Sequence, residues 1–311
     1  MCILFKSMGR LLAILVLLAA AGRALALELP LSADSHVVGE NTVLVANYED
    51  TFVKIARAYD LGFQELVQAN PGVDPWIPGK GTKIILPTRF VLPQAPRRGI
   101  VINLPELRLY YFPDGDSGRV ITHPISIGRM EWRTPLGLTE VYSKIKNPTW
   151  YPPQSIRDEH AAQNRPLEAV VPPGPDNPLG KHAMRLAIPG YLIHGTNMPA
   201  GVGMRVTHGC IRMFPEDIES LYNDVPVGTP VRIVNQPIKL GQSGADFYLE
   251  AHPLLDEKLQ GDEVSIMTEL TRAYIAATEE GLGNDFDWKM AERVVLNARG
   301  IPEVISSGGL L

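Results

Sequence analysis

Apolar and polar positions change rhythm several times along the chain, and each change marks an element. Residues 11–22 are apolar without a break; Lys6 and Arg10 precede them, and Ala24-Leu25-Ala26 follows with small residues two apart. That order predicts a secretory leader over residues 1–26, cleaved after Ala26. An uncleaved anchor is the competing reading, although the run is short for a bilayer and no later stretch approaches ~18 apolar residues. Around Val37 and Val38 the pattern alternates as in a strand. Asp50-Thr51 then supplies a helix start, with Phe52, Ile55, Ala56 and Tyr59 on one face. A second helix carries Phe63, Leu66 and Val67 and stops at Asn70-Pro71-Gly72, and "KIILP" at residues 83–87 reads as a returning strand.

Residues 89–99, "RFVLPQAPRRG", form a Pro- and Arg-containing connector into a long β-rich region. The stretch "GIVINLPELRLYYF" alternates like a hairpin strand whose turn is "PDGDSG". Pro and Gly recur so often up to residue 235 that a sheet or sandwich with large loops is expected, not long helices. Helical spacing returns with Ile266, Leu270, Ala273, Tyr274 and Ala277, and "DWKMAERVVLNARGIP" ends on Gly and Pro as a helix should. Residues 236–311 therefore read as a small mixed C-terminal domain. No tandem repeat is visible.

Charge and cysteine usage change this picture. The chain has 29 basic and 34 acidic residues; removing residues 1–26 takes away three bases and no acid, leaving 26 against 34, or about −8. Such a chain has no electrostatic reason to bind nucleic acid. Of its two cysteines, Cys2 precedes the apolar run, so it is not a lipoprotein cysteine, and it leaves with the leader. Cys210 is then the sole thiol in a compartment that oxidises thiols. It is a buried inert cysteine, half of an intermolecular disulfide, or a reactive nucleophile.

The surroundings of Cys210 favour chemistry. "YLIH" reads as a strand ending in His194, and "MRVTH" as a second strand leading to "THGCIRM". In an extended segment His208 and Cys210 face the same side. His194 has to reach the thiol from a neighbouring element, and the Gly-rich "GTNMPAGVG" loop permits the turn. A histidine nearby can draw the thiol pKa down. Backbone N–H groups at a Gly-Cys turn can hold an oxyanion, worth ~3 kcal/mol or more, and Gly195 and Gly209 suit a backbone that a substrate approaches closely. A zinc site from His182, His194, His208 and Cys210 lacks the paired short spacing that such sites use, so no metal is expected. Trp132, Trp150 and Tyr151 either line a groove or pack in the core. His36, His123, His160 and His252 read as surface or satisfied core histidines.

Two stretches resemble known families. Residues 35–88, with "HVV", "EDTFVKIARAY", "ELVQANPG" and "GTKIILP", resemble the LysM module, with Glu49 where that family usually has glycine. The resemblance implies a small α/β fold binding N-acetylglucosamine-containing glycan, or a spacer of the same fold that binds nothing. "HGTNMPAGVGMRVTHGCIRM" is similar to the signature of the L,D-transpeptidase catalytic domain, and "RLYYF", "ISIGRMEWRTPLG", "NPTWYPP" and "VPPGPDNPLGKHAMRL" extend the likeness over residues 98–235. It implies a mainly β, sandwich-like catalytic domain and most resembles the periplasmic Gram-negative subgroup that joins an outer-membrane lipoprotein to peptidoglycan. Carried over, the nucleophile falls on Cys210 and the general base on His194, held in its tautomer by the Gly195 carbonyl. His208 falls beside the oxyanion with Gly209, and Arg212 on a substrate carboxylate. Thr207 stands where serine is commoner, and Trp132 and Tyr151 fall in the substrate groove. The implied reaction uses no cofactor. Its acyl acceptor is a lipoprotein lysine, a diaminopimelate amine giving 3-3 crosslinks, or water. A wall-binding scaffold without activity is the rival of another class.

Overall fold

The computed structural model describes residues 26–113, 118–255, 265–283 and 285–306. Residues 1–25 of the expected leader and the centre of the "PDGDSG" turn, residues 114–117, lie outside the described residues.

The first part contains β1 (Leu27–Pro30), β2 (Val37–Gly39), β3 (Thr42–Val45), α1 (Phe52–Ala58), α2 (Phe63–Ala69), β4 (Lys83–Leu86) and β5 (Arg89–Val91). Both expected helices form. The Thr51 hydroxyl caps α1 by accepting from the Lys54 N–H at 3.2 Å. The strand pairing differs from the expectation. "KIIL" pairs antiparallel with Thr42–Val45, while "VVG" pairs with Arg89–Val91 from the expected connector. The β3 segment escaped notice because its side chains are largely exposed, so no buried alternation marks it.

The central part contains β6 (Gly99–Asn103), β7 (Arg108–Phe112), β8 (Arg119–Pro124), β9 (Ile127–Gly128), β10 (Gly137–Lys146), α3 (Gln154–Ala162), β11 (His182–Leu186), β12 (Leu192–His194), β13 (Arg205–Thr207), β14 (Ile211–Arg212), α4 (Pro215–Asp224) and β15 (Pro230–Val234). "GIVINLPELRLYYF" is a complete hairpin, β6 and β7, turned at Leu104–Leu107 with Leu107 at φ 58°. Both strands are buried throughout, so each reads as an apolar run more than an alternation.

The expected sandwich is instead one mixed sheet of nine strands in the order β1-β8-β7-β6-β15-β10-β11-β12-β14. It bends where β10 carries an irregularity between Val141 and Ser143. Ile100, Ile102 and Ile233 from one half then share a core with Met184, Ile193 and Ile211 from the other, and Ile218 and Leu221 of α4 pack into it. The curl thus makes an inner face as two stacked sheets would.

The last part pairs β16 (Ile238–Ser243) with β17 (Asp246–Ala251) and β17 with β18 (Glu303–Val304). Over it lie α5 (Ile266–Glu279) and α6 (Trp288–Asn297), whose Leu270, Ala277, Val294 and Val295 join Leu249 in a separate core.

The first part is fastened to the central sheet. The Arg108 guanidinium donates to both Glu65 carboxylate oxygens at 2.6 and 2.9 Å, and both side chains are buried. At the start of α2 the N–H groups of Phe63 and Gln64 donate to the carbonyls of Val202 and Gly203 at 3.3 and 3.2 Å, satisfying donors that a helix N-terminus leaves free. There the backbones nearly touch, since a Cβ on Gly203 would meet Gly62 Cα at 2.3 Å.

Candidate active site

Cys210 ends a turn between β13 and β14. Residues 208–210 are not extended: Gly209 takes φ +100°, a conformation that favours glycine. The expectation that His208 and Cys210 share a side as strand neighbours is therefore corrected. β13 also pairs with β9, not with the strand that carries His194.

Three contacts build the turn. The Thr207 hydroxyl donates to the Cys210 carbonyl at 2.6 Å, the Thr134 hydroxyl donates to the Gly209 carbonyl at 2.8 Å, and the Gly128 N–H donates to Thr134 at 3.2 Å. Thr207 is buried, and its hydroxyl is engaged in the turn. A Cβ on Gly209 would meet the Tyr191 ring at 3.0 Å. On this side Gly209 is close-packed by protein, and its close approach is to Tyr191.

β14 pairs in parallel with β12, with Ile193 opposite Ile211 and His194 opposite Arg212. Cys210 immediately precedes β14, and its thiol meets the backbone N–H of Leu192 on β12, the strand that ends in His194. His194 is buried, and its Nδ1 lies 2.6 Å from the Gly195 carbonyl oxygen. A carbonyl only accepts, so Nδ1 carries the proton and Nε2 keeps its basic lone pair. Burial, and then the Arg212 charge, hold the imidazole down at about 3 against the Gly195 bond, so it is neutral at pH 7.

Cys210 is half-buried, with Sγ 3.6 Å from the Gly190 carbonyl oxygen. Its burial pushes the thiol up, while the Leu192 N–H and the Arg212 guanidinium pull it down, and burial prevails. The resting pair is neutral thiol and neutral imidazole, so the expected lowering of the thiol by histidine is absent. Arg212 is half-buried, burial lowers its pKa, and its buried Nε has no hydrogen-bond partner.

Two contributors escaped the sequence reading. Glu159 on α3 accepts from Arg129 Nη2 at 2.8 and 2.9 Å and lies 3.0 Å from His208 Nε2. Thr134, in "RTPLG", ties the turn. Nothing in the spacing points from Glu159 to a histidine 49 residues later; Thr134 lay within a quoted motif, but its hydroxyl had no visible partner. Trp132 packs edge-on to His208, ring centroids 5.1 Å apart at 71°. Tyr151 is exposed and Trp150 half-buried, the latter bridged to Val171 through backbone hydrogen bonds. His182 is buried on β11 against Tyr222, ring centroids 4.9 Å apart.

Among the described residues, metal-type donors gather in two buried groups, neither of which contains His194, His208 or Cys210: Asp60 with His123 and Asp217, and Glu106 with Glu250 and His252. The second already holds a cation, because Lys239 Nζ lies 2.7 Å from Glu106 and 2.9 Å from Glu250.

Residues 97–233 match the YkuD family, described as the L,D-transpeptidase catalytic domain. The chain is 47% identical over 254 residues to the probable L,D-transpeptidase YcfS of Escherichia coli K12, covering 77% of this chain and 79% of that one. It is 38% identical to the probable L,D-transpeptidase YbiS of the same strain, covering 89% and 91%. A third relative there, the probable L,D-transpeptidase ErfK/SrfK, is 38% identical with 94% and 95% covered.

Proposed function

The chain belongs to the YkuD family of L,D-transpeptidases, and from that premise we propose that Cys210 is its nucleophile and His194 its general base, acting on peptidoglycan tetrapeptide stems. The observation that carries this reading is the His194 tautomer, locked by the Gly195 carbonyl, on the strand that pairs with the one directly after Cys210. Cys210 Sγ attacks the carbonyl carbon of the third stem residue while His194 Nε2 takes the thiol proton. The tetrahedral intermediate collapses to a thioester, the C–N bond breaks, and the departing D-alanine nitrogen takes the proton from His194. An amine then gives a proton to His194 and attacks the thioester. The new amide forms, and the thiol recovers its proton. One amide bond is exchanged for another, so no energy source is consumed.

Arg212 supplies a positive charge two residues after Cys210 and suits a stem carboxylate. His208, oriented by Glu159 and Trp132, stands beside the turn whose backbone N–H groups, including that of Gly209, receive the oxyanion. Trp132 and the exposed Tyr151 border the groove. The preferred acceptor is the terminal lysine of an outer-membrane lipoprotein; a diaminopimelate amine or water completes the same chemistry. Residues 35–88 act as a LysM module that holds glycan, residues 98–235 form the catalytic domain, and residues 236–311 form a small C-terminal domain. A leader over residues 1–26 directs the protein to the periplasm.

Incubating the purified protein with disaccharide tetrapeptide and measuring free D-alanine tests the reading. Wild type is expected to release it and Cys210→Ala to release none; equal behaviour of the two would leave only a wall-binding scaffold. Muropeptide analysis of a deletion strain then separates acceptors: loss of lipoprotein-linked stems supports the preferred one, and loss of 3-3 crosslinks alone refutes it.

A further inference from the structure

A buried anionic site drawn from three distant parts of the chain meets the first residue of the expected mature chain. The Leu27 backbone nitrogen, at the start of β1, donates to Asp60 Oδ2 at 2.9 Å. Asp60 lies between α1 and α2 in the left-handed conformation, φ 52°, and is 2% exposed. His123 Nδ1 lies 3.4 Å from Asp60 Oδ2 and 3.7 Å from Asp217 Oδ1, and His123 and Asp217 are each 1% exposed.

The charges there do not balance. Two carboxylates face one imidazole, which they hold protonated against its burial, so the second carboxylate has no cation of its own. The neighbouring cations are engaged: Arg108 donates to both Glu65 oxygens and to the Asp60 carbonyl, and Arg57 pairs with Glu216 at 2.8 Å. Asp60 Oδ1 and Asp217 Oδ2 are buried with no hydrogen-bond partner, which is costly for carboxylate oxygens. Burial and Asp60 push Asp217 up to about 7, the response of a site lacking a positive charge.

We infer that this site binds the α-ammonium group that leader removal creates on Leu27, an intramolecular ligand that completes the buried cluster. The inference rests on the leader reading under Proposed function. A leader peptidase hydrolyses the Ala26–Leu27 bond; water supplies the hydroxyl to the Ala26 carboxyl and a proton to the Leu27 nitrogen, which takes a second proton at neutral pH. The nitrogen is already at hydrogen-bond distance from Asp60, and β1 stays in register with β8, Leu27 opposite Thr122 and Pro30 opposite Arg119. Cleavage therefore turns an amide with one proton into a cation with three, without moving a strand. The two added protons give the amine spare donors beside the cluster. Asp217 lies in the first turn of α4, the helix entered directly from β14 and the Cys210 turn. Processing thus braces the element behind the nucleophile.

The test compares a chain beginning at Leu27, released from a fusion by a protease that leaves no extra residue, with the same chain carrying Gly-Ser before Leu27. The Leu27 amine is expected to undergo reductive methylation at pH 7 at least ~10-fold more slowly than in a free peptide of sequence LELPLSAD, as a pKa raised by about one unit requires. The urea midpoint should be higher for the chain starting at Leu27, and Asp60→Asn should abolish that difference. If Asp60→Asn does not fold, Asp217→Asn serves in the same comparison. Peptide-like reactivity, or equal midpoints for the two chains, overturns the inference. So does one equivalent of a divalent metal in the purified protein whose chelation lowers the midpoint. Intact mass of the exported protein reports separately on the leader: a first residue other than Leu27 refutes that reading, while the fusion-derived chain still tests the pairing.

Discussion

Alkylation of Cys210 by iodoacetamide from about pH 4 to about pH 10 tests the neutral resting pair directly, because only the thiolate reacts. The thiol lies above its ordinary value of 9.0 and the imidazole near about 3. Moving the proton from one to the other thus crosses at least six powers of ten, about 8 kcal/mol. Attraction between the resulting charges recovers ~4 kcal/mol for a contact pair at an effective dielectric of 20. The ion pair stays uphill by ~4 kcal/mol, a population on the order of one in a thousand. The alkylation rate is therefore expected to climb tenfold per pH unit from about pH 6 to beyond about pH 9, above an acid floor of about a thousandth of the final rate. Turnover, in which the proton moves as the carbonyl is attacked, is expected to run well below that midpoint and to slow in D2O. A plateau at the full rate beginning near pH 5, as a predominant thiolate–imidazolium pair gives, would refute the reasoning.

Three further outcomes follow from named contacts. Glu159→Gln loosens His208 and lowers the D-alanine release rate by up to ~100-fold if the ring shifts by about 1 Å, while the melting temperature holds because Glu159 is partly exposed. Arg108→Met strands the buried Glu65 carboxylate and costs roughly 3–5 kcal/mol in urea unfolding; adding Glu65→Leu should restore most of it. His123 opposes its burial through Asp217 and Asp60 and titrates at about 10 instead of 6.5. Its contribution is complete below about pH 6.5 and declines by ~1.4 kcal/mol per pH unit as pH rises towards 10; His123→Gln should flatten that part of the stability curve.

What could be read beforehand depended on range. The helix starting after Thr51 and the one carrying Leu270 and Ala277 are written in local spacing and capping, so both were legible. "KIIL" was legible as a strand, but its partner Thr42–Val45 was not, because pairing is decided by the chain's return path. The sandwich expectation came from composition and resemblance, and neither reveals that one sheet bends at Val141 and Ser143. At the site, "THGC" pointed to Cys210 and His194, yet the backbone turn at Gly209, which sends His208 towards Glu159, is a conformational choice that no spacing states. Burial governs the proton positions there, and burial is known only once the sheet has curled.

The join between Gly62 and Gly203 bears on how such proteins can be recombined. A connector at residues 89–99 invites the view that the N-terminal module is a cassette that could be exchanged among relatives. The helix donors of Phe63 and Gln64, the carbonyls of Val202 and Gly203, the lack of space for a Cβ on Gly203 and the tight fit at Gly62 make it one half of a matched surface. A chimera cut at the connector would bring a foreign helix end against the loop before β13 and should misplace the turn that holds Cys210. Grafts should succeed only when residues 57–65 and 199–205 travel together, so the unit of exchange is the seam.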